Sequence, residues 1–167
     1  LFSKRESTLE SLDLNEAIRE VIALSRSDLQ RNRVVLQAEL ADDLPNVVGD
    51  RIQLQQVMLN LLRNASDAMV DVHDRPRQLL VKTEQMDGDR VRLTVRDAGI
   101  GVDPQVVNKL FDAFYTTKRD GMGIGLSVSR SIIERHHGRL WAERNDGPGA
   151  TFAFLVPRDP DNVPDAA

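Results

Sequence analysis

Gly121-Met-Gly-Ile-Gly-Leu126 is the last of four short boxes whose order along the chain decides how the fold is read. Gly121, Gly123 and Gly125 alternate, and a helical apolar pattern begins at Leu126. The first N–H groups of a helix lack backbone partners and lie at the positive end of its dipole, so a glycine run leading into one suits a phosphate chain. It is not a Walker loop, because no Gly-Lys-Ser/Thr follows. It is not the dinucleotide fingerprint either, because position 128 is valine where the third glycine belongs. Taken alone, the run reads equally well as a hinge.

The boxes upstream narrow that choice. Asp97-Ala-Gly-Ile-Gly101 follows an alternating stretch from Arg90 to Arg96, which places the carboxylate at a strand end. A carboxylate there can accept a hydrogen bond from an exocyclic amine, while Gly99 and Gly101 let the backbone approach a flat ring. Adenine presents such an amine where guanine presents a carbonyl. Before these comes Gln56-Val-Met-Leu-Asn60-Leu-Leu-Arg-Asn64-Ala-Ser-Asp-Ala-Met69. Asn60 and Asn64 are four apart and share a helix face, with Gln53, Gln56 and Asp67 close to the same stripe. A neutral amide oxygen is a hard ligand of the kind magnesium accepts. The plain alternative is a solvated polar stripe, but asparagine is a mediocre helix former, and two of them mid-helix lean against it. Phe111-Asp-Ala-Phe114-Tyr-Thr-Thr-Lys118 is the remaining box. Its aromatics fit a simple core or a docking edge, and Lys118 is either a surface lysine or a point charge for a terminal phosphate.

A chain of 167 residues fits one domain with short appendages and can bury a proper core. The net charge of −4 gives a nucleic-acid partner no electrostatic support. With no cysteine, disulfides and thiolate metal sites are excluded. No apolar run approaches the roughly 18 residues of a spanning helix, and Leu-Phe-Ser-Lys-Arg-Glu does not look like a signal peptide. The chain is expected to be a cytoplasmic domain of something longer, whose parent is soluble or membrane-anchored.

Apolar spacing at Leu14, Ala17, Ile18, Val21, Ile22 and Leu29 predicts a helix capped by Asp13. Val34 to Leu40 alternates as a strand. Asp50 with Gln53 opens a second long helix through Met69. Leu79–Gln85 and Arg90–Arg96 form a hairpin around Met86-Asp-Gly-Asp89. Asp103-Pro104 suits a helix start, and the helix after the glycine run should end at Gly138. A last hairpin turns at Asn145-Asp-Gly-Pro-Gly149. Residues 1–12 are read as the end of an upstream helix or a linker, 13–157 as the folded domain and 158–167 as a frayed tail. Strands and helices mix without regular strand–helix–strand units, which favours a two-layer α/β (α+β) sandwich over a doubly wound sheet.

The ordered boxes resemble the catalytic, ATP-binding domain of two-component sensor histidine kinases, from about Asn15 to Val156. They are most similar to the branch whose third box reads Phe-x-x-Phe-Tyr-Thr-Thr-Lys. The resemblance implies a Bergerat-type ATP-binding fold, with helices on one face of a mixed, mostly antiparallel sheet. It implies ATP and Mg2+ as cofactors, Asn64 as the magnesium ligand, Asn60 near the phosphates and Asp97 on adenine. Asn60 and Lys118 are the expected catalytic residues. The expected nucleotide site also takes in Arg63, Asp67, Gly99, Gly101, Thr117, Gly121, Gly123, Gly125, Leu126 and Thr151. The implied partners are a histidine-bearing helical dimerisation domain in the same, homodimeric parent and a downstream response regulator, with no nucleic acid.

Two positions depart from the family pattern. Many relatives carry a basic residue where Asp67 stands, so a phosphate contact there must come from elsewhere, with Arg63 the candidate. Gln56 occupies the place where hydrolytic relatives use a glutamate to activate water, and glutamine has no useful basicity. That disfavours the conformational ATPases of the gyrase and chaperone type. The Phe-Tyr-Thr-Thr-Lys box argues against an anti-sigma-type serine kinase. A regulatory module that binds nucleotide without transferring phosphate stays open. The three histidines, His73, His136 and His137, are expected to be structural, the last two capping a helix end before Gly138.

Overall fold

The computed structural model describes residues 8–103, 109, 111 and 124–161. In chain order the elements are β1 (Glu10–Leu12), α1 (Leu14–Arg31), β2 (Val34–Glu39), β3 (Val47–Gly49), α2 (Arg51–Ala68), β4 (Arg77–Met86) and β5 (Arg90–Asp97). They continue with α3 (Ile124–Arg135), β6 (Arg139–Arg144) and β7 (Ala150–Pro157). Five strands form one sheet in the order β2-β4-β5-β7-β6. Only the β2–β4 pair is parallel; the other three ladders are antiparallel. This is the mixed, mostly antiparallel sheet that the family resemblance implied.

Alternation along the central strands decides which face is covered. Leu79, Val81 and Thr83 on β4 are buried, as are Val91, Leu93 and Val95 on β5 and Phe152, Phe154 and Val156 on β7. Against that face the helices set Leu14, Ile18 and Val21 from α1, Leu54, Met58, Leu61 and Leu62 from α2, and Ile132 and Ile133 from α3, all in one continuous core. Burying each such side chain stabilises the fold by roughly 1.5–3 kcal/mol. The period-2 row on β5 does not stop at Val95. It ends on Asp97, which is therefore drawn into the buried layer at the strand's last residue.

The caps follow the sequence at two helices and depart from it at the third. Asp13 accepts from the N–H of Asn15 at 2.9 Å to start α1, and Asp50 accepts from the N–H of Gln53 at 3.2 Å to start α2. At the end of α3 the left-handed position falls on His137 (φ 62°), not on Gly138. The N–H of Gly138 bonds to Ile133 O at 2.9 Å and that of His137 to Glu134 O at 3.0 Å, the paired bonds of a Schellman closure. Gly138 is needed for packing, since a Cβ there would run into Leu155 O of β7.

Two expectations about the ends of the chain are corrected. Glu10–Leu12, read as linker or helix end, is a strand paired antiparallel with β3, itself too short to register as a pattern. Residues 158 and 159 do not fray: Arg158 bridges to Val47, and the Asp159 N–H bonds to Asn46 O at 2.7 Å. Positions 162–167 of the expected tail lie outside the described residues, as does the helix start expected at Pro104. No helix among the described residues is long and apolar enough to cross a membrane.

Candidate functional site

Asp97 is 4% exposed, and both hydrogen bonds it accepts among the described residues run to Oδ1, from Gly99 N at 2.9 Å and Ala150 N at 3.2 Å. Oδ2 is left for a ligand donor. Burial pushes this carboxyl above the ordinary aspartate range, and the two backbone N–H groups pull part of the way back. The turn after Asp97 packs on the end of α2, where the N–H of Ile100 donates to Ala68 O at 3.2 Å. Gly99 has to be glycine here because a Cβ would strike that same Ala68 peptide. Gly149, at φ 93°, closes the other side, where a side chain would collide with Asp97 O. Backbone therefore packs closely on both sides of the Asp97 turn, at Gly99 and at Gly149.

Asn60, Asn64 and Ala68 follow one another at helical spacing on α2, so the asparagine stripe runs up to the Asp97 turn. The distance from Asn60 to Ala68 is about 12 Å along the axis at 1.5 Å per residue. Asn60 and Asn64 are both half-buried. Asn60 Nδ2 donates to Gly125 O at 3.3 Å and to Ser129 Oγ at 3.0 Å, tying α2 to the first turn of α3. A carbonyl can only accept, so the amide nitrogen must face α3, and Oδ1 is the end turned toward the remaining space. The beginning of α3 thus stands beside the asparagine stripe, where the helix-start argument needs it.

The other expected site residues divide. Gly125 lies against Asn60, and Leu126 is buried, so any ligand contact from it comes from its backbone. Gly101, at φ 83°, faces Gly149 O. Thr151 Oγ1 donates to Asn145 Oδ1 at 2.5 Å, and its hydroxyl organises the β6–β7 turn. Arg63 and Asp67 are exposed and border a cavity of about 360 Å³ between α1 and α2, together with Leu24, Ser25, Asp28 and Asn32. The structure does not group them with the α2–α3 contact made by Asn60. Thr117, Lys118, Gly121 and Gly123 lie outside the described residues, as do Phe114 and Tyr115. Phe111 is buried edge-to-face on Phe152, with Arg130 over its ring at 5.0 Å.

Several residues that hold the site carried no signal in the sequence. Asn145 Nδ2 donates to Asp97 O at 3.0 Å and to Pro148 O at 3.0 Å, although its pentapeptide reads only as a turn. Arg75 donates from Nε to Ala98 O at 2.8 Å and from Nη2 to Gly99 O at 2.7 Å. An arginine in a polar loop is usually solvated, so nothing in its setting marked it. His136 is structural, as expected, with Nδ1 2.8 Å from Ile132 O at the end of α3, while His73 is exposed beside Arg77.

With this geometry in hand, the chain can be set beside known proteins. The family model described as "Histidine kinase-, DNA gyrase B-, and HSP90-like ATPase" matches residues 49–160. Sensor protein FixL of Bradyrhizobium diazoefficiens is 41% identical over 160 residues, which cover 96% of this chain and 31% of FixL. Sporulation kinase E of Bacillus subtilis is 34% identical, over 89% of this chain and 20% of its own length. The chain thus spans about a third or less of these relatives. Among solved structures, the catalytic domain of histidine kinase ThkA superposes with a TM-score of 0.80 at 32% identity, covering 92% of this chain and 99% of that domain. Full-length ShkA in complex with AMPPNP gives a TM-score of 0.83 at 28% identity, over 95% of this chain and 33% of ShkA. The fold is the Bergerat-type sandwich of these neighbours, and the chain belongs to the histidine kinase-, gyrase- and HSP90-like ATPase family, as a catalytic domain of the sensor histidine kinase type.

Proposed function

We propose that this chain binds ATP with magnesium and presents its γ-phosphate to a histidine on a separate helical domain of the same parent protein. The observation that carries the reading is the Asp97 carboxylate, buried at the end of β5 with Oδ1 fixed and Oδ2 available. An acceptor held in that way matches the exocyclic amine of adenine and opposes the carbonyl of guanine. The neighbour ShkA, seen with AMPPNP, supports nucleotide binding by this fold.

In this reading adenine sits on the Asp97–Gly99 turn, and the phosphates run along the asparagine stripe toward the start of α3. Asn64 supplies an amide oxygen to magnesium, and Asn60 Oδ1 faces the same space, a donor set of the hard, neutral kind that this ion accepts. When bound, the ion neutralises charge on the phosphoryl oxygens. The helix start of α3, Thr117 and Lys118 complete the phosphate contacts, with Lys118 placing a positive charge on the terminal phosphate. Positioning does most of the remaining work in phosphoryl transfer, because the attacking nitrogen must lie in line with the γ-phosphorus.

Gln56 is exposed and cannot act as a base, which favours transfer to an acceptor over hydrolysis by water. The acceptor is a histidine on a helical dimerisation domain of a homodimeric parent, and the phosphate then passes to a response regulator. The ThkA structure in complex with response regulator TrrA supports that arrangement. The domain works at the cytoplasmic side, where ATP is supplied, and the folded unit takes in residues 10–159. Calorimetric titration with ATP and with GTP tests the reading: ATP should bind and GTP should bind poorly, and comparable affinities would count against it.

A further inference from the structure

Arg75 stands in the loop between α2 and β4, outside the four boxes. We infer that Arg75 is a positioning residue that fixes the orientation of the Asp97 carboxylate and thereby sets the purine preference of the site. The inference rests on the adenine reading of Asp97 and extends it to a residue outside the family boxes.

In the peptide unit joining Ala98 to Gly99, the carbonyl accepts from Arg75 Nε at 2.8 Å, and the N–H donates to Asp97 Oδ1 at 2.9 Å. In the next unit, the Gly99 carbonyl accepts from Arg75 Nη2 at 2.7 Å, and the Ile100 N–H donates to Ala68 O at 3.2 Å. The Ala98–Gly99 and Gly99–Ile100 planes are therefore held at both ends, and one guanidinium holds the carbonyl end of each. Rotation of the Ala98–Gly99 plane would carry the Gly99 N–H away from Oδ1 and leave the carboxylate on the longer bond from Ala150 N at 3.2 Å, freer to turn about it. A planar fork with fixed N–H directions can hold two successive carbonyls at once, whereas an ammonium offers a single point of charge. The Arg75 side chain is 28% exposed, and its ion pair with the 78%-exposed Asp74 adds little. The carbonyl contacts, then, explain its placement.

The test uses Arg75→Lys, Arg75→Gln and Asp97→Asn in this chain, with calorimetric affinities for ATP and GTP and melting without nucleotide. Asp97→Asn should collapse the ATP-over-GTP preference. If the inference holds, both Arg75 variants weaken ATP binding by about tenfold, because the carboxylate is no longer pre-organised for the adenine amine. GTP binding should not weaken in parallel, so the preference narrows. Arg75→Lys keeps the charge and a folded melt, and amide exchange at Gly99 and Ile100 should speed up in it. An unchanged preference in the Arg75 variants beside a collapsed one in Asp97→Asn would overturn this inference alone. Equal losses for both nucleotides would also overturn it, leaving Arg75 a merely structural brace. An unchanged preference in Asp97→Asn would remove the adenine reading itself.

Discussion

The imidazole of His136, at the end of α3, accepts a hydrogen bond from the backbone N–H of Asp50, the residue that caps α2, at 3.0 Å. An N–H can only donate, so Nε2 carries the lone pair and Nδ1 carries the proton that reaches Ile132 O. One neutral ring thus joins the start of one wall helix to the end of the other. Gly49 makes room for it, since a Cβ there would press on the ring. His136→Ala should leave the buried Asp50 N–H unpaired and cost about 1–3 kcal/mol. In a domain of this size that lowers the melting temperature by roughly 2–4 °C per kcal/mol. An unchanged thermal midpoint would show that water replaces the ring without loss.

A neighbouring pair of substitutions separates conformation from packing at the same helix end. His137 stands at positive φ, where a non-glycine residue costs roughly 1–2 kcal/mol, so His137→Gly should stabilise the chain. Gly138→Ala should destabilise it, because the new methyl meets Leu155 O, Val156 and Ile133. Urea unfolding reads both. Shifts of the same sign would show that the closure is misassigned.

Asp97 predicts an exchange of stability against binding. Its folded-state pKa is raised, so the proton is held more tightly in the native state. The stabilisation this gives is fully present below the unfolded value of about 3.9 and is lost as pH rises through the folded one. Asp97→Asn removes the buried charge and keeps an oxygen for the Gly99 and Ala150 N–H groups. At neutral pH the unligated variant should be at least as stable as the parent sequence, with the gain vanishing in acid. Its ATP affinity should fall, and Asp97→Ala should lower it about ten- to a hundredfold, the worth of a hydrogen bond to a charged group. ATP binding to the unmutated chain should begin to weaken on acidification above the pH at which a free carboxylate protonates. Paired melts and titrations across pH check each part, and a less stable Asp97→Asn at neutral pH would contradict the burial argument.

The asparagines should separate by metal dependence. If Asn64 gives an oxygen to magnesium, Asn64→Ala weakens Mg-ATP binding more than binding of metal-free nucleotide. Asn60→Ala cuts the bonds to Gly125 and Ser129 as well, so it should also lower unligated stability by about 1–2 kcal/mol, as one or two ordinary hydrogen bonds do. Equal losses with and without magnesium for Asn64→Ala would move that residue to a structural role.

What the sequence made legible was whatever repeats with a period. Val91, Leu93 and Val95 alternate, so the strand was legible and Asp97 could be set at its end, while its place in the covered layer came from the structure. The spacing of Asn60 and Asn64 likewise set them on one stripe. The residues that brace Asp97 are single side chains reaching across loops. Arg75 bonds 23 and 24 positions away and Asn145 bonds 48 positions away, and no local pattern encodes such pairings. The β1–β3 pair was hidden because three residues are too few to show alternation. At the end of α3 the glycine attracted the cap assignment, and only the closeness of β7 shows why glycine stands one position later.

The central claim is that this chain holds ATP but takes its phosphate acceptor from elsewhere. His136 has both ring nitrogens engaged inside the fold, and His137 is fixed in the helix closure. The most direct measurement is incubation of the purified chain with Mg-ATP labelled at the γ-phosphate, alone and with a histidine-bearing helical dimerisation domain supplied. The account predicts no label on this chain and acid-labile, base-stable phosphate on the added helical domain. Acid-labile, base-stable phosphate on this chain when incubated alone would contradict it.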